Sequence, residues 1–149
     1  MKLVVQRVNH AKVAVEGKTV GEIGRGLLVF LGVHKEDKSE DTTWLVNKLI
    51  NLRIFENDDG KMNISVKELG GQILVVSQFT LYGNCANGRR PDFMESAPGL
   101  QAEPIYQKFV NEVADEMGKV ETGVFGAHMK ISLENDGPVT LIVEGRSRA

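Results

Sequence analysis

At 149 residues, with 42% hydrophobic residues and a formal net charge of −2, the chain has the make-up of one folded domain with a real core, spanning 1–149. That composition argues against disorder, and the small net charge excludes a global basic field for nucleic acid, so any such contact must be local, to a strand end. The single cysteine, Cys85, excludes an internal disulfide, and the longest apolar run, Leu27 to Leu31, is far too short to cross a bilayer.

The opening Met1-Lys2-Leu3-Val4-Val5-Gln6-Arg7 breaks too early for a signal peptide and reads as a strand, so a cytoplasmic location without membrane attachment is expected. Residues 3–8 and 11–16 alternate with period two, as paired strands do. Gly17-Lys18 turns the chain into a strand over Thr19 to Ile23, and Gly24-Arg25-Gly26 turns it again. Leu27-Leu28-Val29-Phe30-Leu31 has no alternation and predicts a strand buried on both faces. Asp37 and Glu40 have capping-box spacing ahead of Leu45, Leu49 and Leu52, which predicts a helix ending near Arg53 with Trp44 alongside its apolar stripe. Asn57-Asp58-Asp59-Gly60 is a turn, residues 61–69 fit an irregular segment or short strand, and Ile73-Leu74-Val75-Val76 is a second buried strand.

That strand runs into Ser77-Gln78-Phe79-Thr80-Leu81-Tyr82-Gly83. The polar stretch from Asn84 to Glu103 reads as a loop, long enough to carry function. Pro104 suits a first helical turn, Tyr106, Phe109, Val110, Val113 and Met117 form an apolar face, and Gly118 is the C-terminal cap. Val120 to Val124 reads as a strand. Asn135-Asp136-Gly137-Pro138-Val139-Thr140 then falls between two more, at 129–133 and 139–143, where Asp-Gly signals a hairpin. Proline after glycine gives up a donor and admits either peptide isomer, so the stretch is either a tight turn or a rigid backbone wedge aimed at something. Antiparallel groups of strands separated by two helices argue an α+β fold.

Few residues offer conventional chemistry. His10, His34 and His128 are scattered, with no carboxylate or cysteine at ligand spacing, so neither a metal nor another cofactor is expected. Gly24-Arg25-Gly26 is too short for a phosphate loop and precedes a strand. Ser77 and Thr80 end a buried strand but have no histidine near in sequence, and Cys85 reads as a bland loop thiol. Main-chain N–H groups at Phe79-Thr80 remain as candidates for stabilising an oxyanion. Arg89-Arg90, Arg146 and Arg148 form weak basic clusters, ordinarily a solvated face and otherwise a phosphate contact.

At Ser77-Gln78-Phe79-Thr80-Leu81 and Asn135-Asp136-Gly137-Pro138-Val139-Thr140 the sequence resembles the D-aminoacyl-tRNA deacylases. Gln6-Arg7-Val8, Gly24 to Gly32, Arg53-Ile54-Phe55, Lys61-Met62-Asn63 and Arg90-Pro91-Asp92-Phe93 fall where that family has them, so the likeness covers essentially the whole chain. The resemblance implies a cytoplasmic homodimer without a metal, hydrolysing the ester between a D-amino acid, or glycine, and the 3′-terminal adenosine of tRNA. The expected fold is mostly antiparallel sheets in a barrel-like core with two main helices. It implies that Gly137-Pro138, as a Gly-cisPro pair, enters the partner's pocket beside Ser77 to Leu81, of which Ser77, Gln78, Phe79 and Thr80 are the expected catalytic residues. There its carbonyls hold the amino group while an L side chain collides with it. By the same resemblance Arg7 supports the wedge, Phe125 and Met129 lie near the adenosine, and the adenosine 2′-hydroxyl assists catalysis. Thr80 occupies the place of a once-considered nucleophile. Asn84-Cys85-Ala86-Asn87 departs from the family pattern. Two rival readings are a non-catalytic module for a tRNA or oligonucleotide end and a small-molecule hydrolase indifferent to RNA.

Overall fold

The computed structural model describes residues 1–145, so Arg146 and Arg148 lie outside the described residues. Strand β1 (Lys2–Val15) organises the rest. The two alternating stretches at its ends are not paired with each other, as their pattern suggests; they are halves of this one strand. Strand β3 (Gly26–Gly32) pairs antiparallel with Lys2–Val8, and β2 (Lys18–Ile23) with Ala11–Val15. The opposite edge is taken by β8 (Lys130–Glu144), antiparallel from Lys2↔Glu144 to Ala14↔Lys130. The alternation slips phase near Asn9, where the β1–β8 register shifts between Val8 and His10: the break is a bulge, with no turn residue to reverse the chain.

The same pairing corrects the expected hairpin. Residues flanking Gly137 do not pair with each other; both flanks pair with β1. Gln6 faces Thr140 and Val8 faces Asn135, so Asp136 to Val139 loop out of the ladder opposite the single residue Arg7.

Strand β6 (Gln72–Ser77) pairs parallel with β3, and the short β7 (Glu121–Thr122), all that forms of the strand expected over Val120 to Val124, pairs parallel with β6. The sheet order is β2-β1-β3-β6-β7 with β8 also on β1, so the sheet is mixed rather than purely antiparallel. Glu22 N donates to Glu121 Oε1 (3.3 Å), drawing β2 toward β7, and the sheet curls into a nearly closed barrel.

Helix α1 (Thr42–Asn51) starts later than expected, after a 3₁₀ turn over Ser39–Asp41. Asp37 is no cap: its Oδ2 accepts from His34 N at 2.7 Å, while Asp41 accepts from Lys38 N at 2.9 Å. Between α1 and β6, β4 (Phe55–Glu56) pairs with β5 (Met62–Ile64), and α2 (Val66–Leu69) begins on a Ser65–Glu68 capping box. Helix α3 (Gly99–Met117) begins before the expected site, so the preceding loop ends at Pro98 and Pro104 sits inside the helix. Gly118 closes it in the left-handed conformation (φ +80°).

Leu3, Val5, Val29 and Val75 face α1 and α3, where Leu45, Leu49, Phe109 and Val113 cover them. Leu28, Leu74, Val76, Val8 and Val13 fill the barrel interior on the other face. β3 and β6 are therefore buried on both faces, which is why their sequences lack alternation. No helix among the described residues is long and apolar enough to cross a membrane.

Candidate active site

Strand β6 emerges from the core at Ser77 and is turned at once. Gln78 N donates to Leu31 O (2.8 Å), and the chain closes a 3₁₀ turn over Phe79–Tyr82, with Gly83 N on Thr80 O (2.9 Å). Phe79 and Thr80 open that turn, so no carbonyl lies one turn back within it for their N–H groups. Gln78 Nε2 donates to Thr80 Oγ1, holding the two side chains together.

This strand end borders a cavity of about 610 Å³. Ser77, Gln78 and Phe79 form one side; Phe125 and Met129, from the segment after β7, form another. Ala102 and Tyr106 of α3 and the stretch Ser96 to Gly99 complete it. The fold thus gathers five of the residues singled out in the sequence into one hollow. Thr80 stands beside the wall rather than on it and is exposed. A side chain at Gly123 would lie 2.5 Å from Met129 Sδ, so the bare glycine is what lets Met129 lie over the chain there.

Tyr106 and His128 also line the cavity and were not singled out as site residues. Tyr106 fits the apolar stripe of α3 so well that its sequence carries only a packing signal. Its hydroxyl donates to Val75 O (3.4 Å), its ring lies 5.4 Å from that of Phe125, and burial pushes its pKa up to about 12, so the phenol is neutral. The loop before α3 is stitched to the end of β3. Ala97 N donates to Val33 O (2.9 Å) and Lys35 N to Glu95 O (3.0 Å). His34 Nδ1 accepts from Glu36 N (3.0 Å), which leaves Nε2 to donate to Glu95 Oε2 at 2.6 Å. That hydrogen bond, and then the charge of Lys35, hold the Glu95 carboxyl below its usual range.

Arg7, Gly137 and Pro138 do not line the cavity of their own chain. They form a second constellation where β8 leaves β1. Asn135 Nδ2 donates to Arg7 O (3.0 Å) and Val139 O (2.9 Å), and Thr140 Oγ1 donates to Asn135 Oδ1 (3.2 Å), tying the neck of the excursion. Arg7, 5% exposed, donates through Nη1 to Ile54 O (2.8 Å); its Nε lies 3.1 Å from Asp136 Oδ2 and its Nη2 3.7 Å from Glu56. Gly137 (φ +121°) and Pro138, joined by a cis peptide bond, are exposed at the tip. Among the described residues no three His, Cys, Asp or Glu side chains converge to hold a metal ion.

Comparison with known proteins gives this geometry a relationship. A protein from Desulfatibacillum aliphaticivorans named D-aminoacyl-tRNA deacylase is 58% identical over 147 residues, covering 98% of this chain and 100% of that one. A Thermosipho africanus protein of the same name is 57% identical over 146 residues, covering 98% of each. Among solved structures, one titled c-Myc DNA Unwinding Element Binding Protein superposes with a TM-score of 0.91 at 41% identity, covering 97% of this chain and 99% of that one. A probable eukaryotic D-amino acid tRNA deacylase, 20% identical, shares the fold with a TM-score of 0.84, covering 95% and 97%. The model of the D-Tyr-tRNA(Tyr) deacylase family matches residues 4–144, and the chain belongs to that family.

Proposed function

We propose that the protein hydrolyses D-aminoacyl-tRNA, releasing the free D-amino acid and tRNA. One observation carries the reading: Ser77, Gln78, Phe79, Phe125 and Met129, from two segments about fifty residues apart, line one cavity large enough for an aminoacylated nucleoside. The terminal adenosine lies against Phe125 and Met129, and the ester carbonyl meets the N–H groups that open the turn at Phe79 and Thr80. The relatives' shared name supports the substrate class.

Selectivity comes from a second copy of the chain. Gly137 and Pro138 are exposed at the tip of a braced excursion and do not line their own cavity, which suits a group delivered to a partner's cavity in a two-fold homodimer. Their carbonyls hold the substrate ammonium; an L side chain collides with the backbone, while a D side chain or the hydrogen of glycine points away. Glycyl-tRNA is therefore also a substrate. Water attacks the ester carbonyl, assisted by the adenosine 2′-hydroxyl; the C–O bond to the 3′-oxygen breaks, that oxygen leaves with a proton, and protein main chain stabilises the charge that develops. Such an enzyme works on tRNA in the cytoplasm, as a step of proofreading. The test is hydrolysis of matched D- and L-tyrosyl-tRNA by purified protein, with its light-scattering mass. Release from the D-substrate alone, by a particle of two chains, is expected. No release would leave a binding module, and equal turnover of free D-amino esters a hydrolase indifferent to RNA.

A further inference from the structure

The deacylase reading accounts for the terminal adenosine but for none of the nucleotides before it. Beside the cavity the chain makes an outcrop that the reading does not use. Asn84 and Asp92 exchange both backbone hydrogen bonds (2.7 and 2.8 Å), closing residues 85–91 into a loop with its own neck. Asn84 Oδ1 accepts from Ala86 N (2.9 Å), and Asp92 Oδ1 from Met94 N (2.7 Å), so the acidic residue nearest in sequence already has a partner. The neck is fixed to the cavity rim by Phe93, a wall residue whose ring packs edge-on against Phe79 at 5.2 Å. Every residue of the loop is exposed, and Arg89 and Arg90 make no hydrogen bond, ion pair or ring contact with the described residues.

Two guanidinium groups without a partner among the described residues, on a pinned loop beside a nucleotide-sized cavity, form a local positive surface on a chain of net charge −2. Arg90 and Arg89 follow two and three residues back from Asp92, so at about 3.3–3.6 Å per residue they lie within roughly 7–11 Å of the neck. An occupant whose last nucleotide fills the cavity carries its preceding phosphates out over the cavity rim, of which Phe93 forms part. A guanidinium fork matches a phosphate in charge and geometry. Resting on the deacylase reading, we propose that Arg89 and Arg90 bind backbone phosphates of the tRNA nucleotides that precede the terminal adenosine.

The contact is with phosphate, so it leaves a signature in salt. Each phosphate neutralised on a single strand contributes about 0.7 to the slope of log affinity against log salt, and two contribute about 1.4. Between 50 and 200 mM salt, the wild-type KM for D-tyrosyl-tRNA is then expected to rise roughly sevenfold more than that of the Arg89→Ala/Arg90→Ala variant. The experiment measures KM and kcat for D-tyrosyl-tRNA and for the D-tyrosyl ester of adenosine, which has no phosphate, across that range. The double alanine variant is expected to lose about 1.4 of the salt slope on tRNA, keep its kcat, and match wild type on the adenosine ester. The Arg89→Lys/Arg90→Lys variant keeps the charge and is expected to restore most of the slope. An unchanged slope in the alanine variant, or an equal loss on the adenosine ester, overturns the inference while the deacylase reading stands. A wild-type protein that hydrolyses neither substrate removes that reading and this inference together.

Discussion

Gly137→Ala perturbs the excursion at its tip. At φ +121° an L side chain is strained, which costs on the order of 1–3 kcal/mol in such backbone regions. Space adds to the strain: the new Cβ would lie 2.9 Å from Val139 Cγ2, 3.1 Å from Val139 N and 3.2 Å from Arg7 Nη2. The valine methyl can rotate, but the backbone nitrogen and the braced guanidinium can give way only if the excursion shifts by a few tenths of an ångström. A total of about 2–3 kcal/mol follows, which for a chain of this length lowers Tm by roughly 5–10 °C. In the proposed dimer a displaced tip would no longer aim its carbonyls at the partner's cavity, so the ratio of D- to L-tyrosyl-tRNA hydrolysis is expected to fall at least about tenfold, or about 1.4 kcal/mol of discrimination. Calorimetry gives the first number and paired single-turnover rates give the second. A folded dimer with an unchanged D-to-L ratio would refute the wedge, and an unchanged Tm would refute the steric argument beneath it.

Arg7→Lys replaces a fork that serves Ile54 O and Asp136 with a single ammonium; leaving one buried acceptor unmet costs about 1–3 kcal/mol, read as a lower Tm together with a reduced D-to-L ratio. Thr80→Ala and His128→Ala should each keep turnover within about tenfold of wild type, whereas tRNA ending in 2′-deoxyadenosine should lose at least about 10²-fold, the usual worth of a general base; the reverse pattern would transfer the chemistry to the protein side chain. Tyr106, raised from 10.0 to about 12 by burial, keeps its proton in the folded state where the unfolded chain loses it. Its contribution is therefore complete below pH 10 and is lost as pH climbs toward 12, by roughly 2–3 kcal/mol. Urea titrations at pH 9 and 11 should show a smaller alkaline loss in Tyr106→Phe than in wild type.

What could be read from the sequence follows what is local in the physics. Burial of Leu27 to Leu31 on both faces showed as missing alternation, and the C-cap at Gly118 as a glycine after an apolar stripe. The errors arose where a distant partner decides. Asp-Gly between two β-rich stretches has the local chemistry of a hairpin, but both flanks find a better partner in β1, more than a hundred residues away, and the turn residues are left protruding. The slip of alternation near Asn9 looks the same in sequence whether it is a turn or a bulge. The cavity shows the same division. Ser77 and Phe79 could be found at a strand end, and Gln78, Phe125 and Met129 through resemblance, but Tyr106 and His128 reach the wall only because α3 and the segment after β7 come together at the end of β6.

The two motifs therefore ask different things of their residues. The strand end at Ser77 to Thr80 offers main-chain donors, and the excursion at Gly137-Pro138 offers main-chain acceptors, so in the proposed mechanism the atoms nearest the α-carbon are all backbone. A backbone wedge tests the hydrogen at the α-carbon and is blind to what the side chain is, which suits one enzyme to many D-amino acids. The side chains specified around it, Arg7, Asn135 and Thr140, then serve to hold that backbone still, and each of them does so by a hydrogen bond or ion pair within the excursion. Selectivity of this kind fails when the brace is loosened rather than when a contact to substrate is deleted. The residues that matter most for chirality are thus expected to lie behind the tip, in Arg7 above all, which without the family resemblance reads only as an arginine on an otherwise apolar face of a strand and which the structure buries.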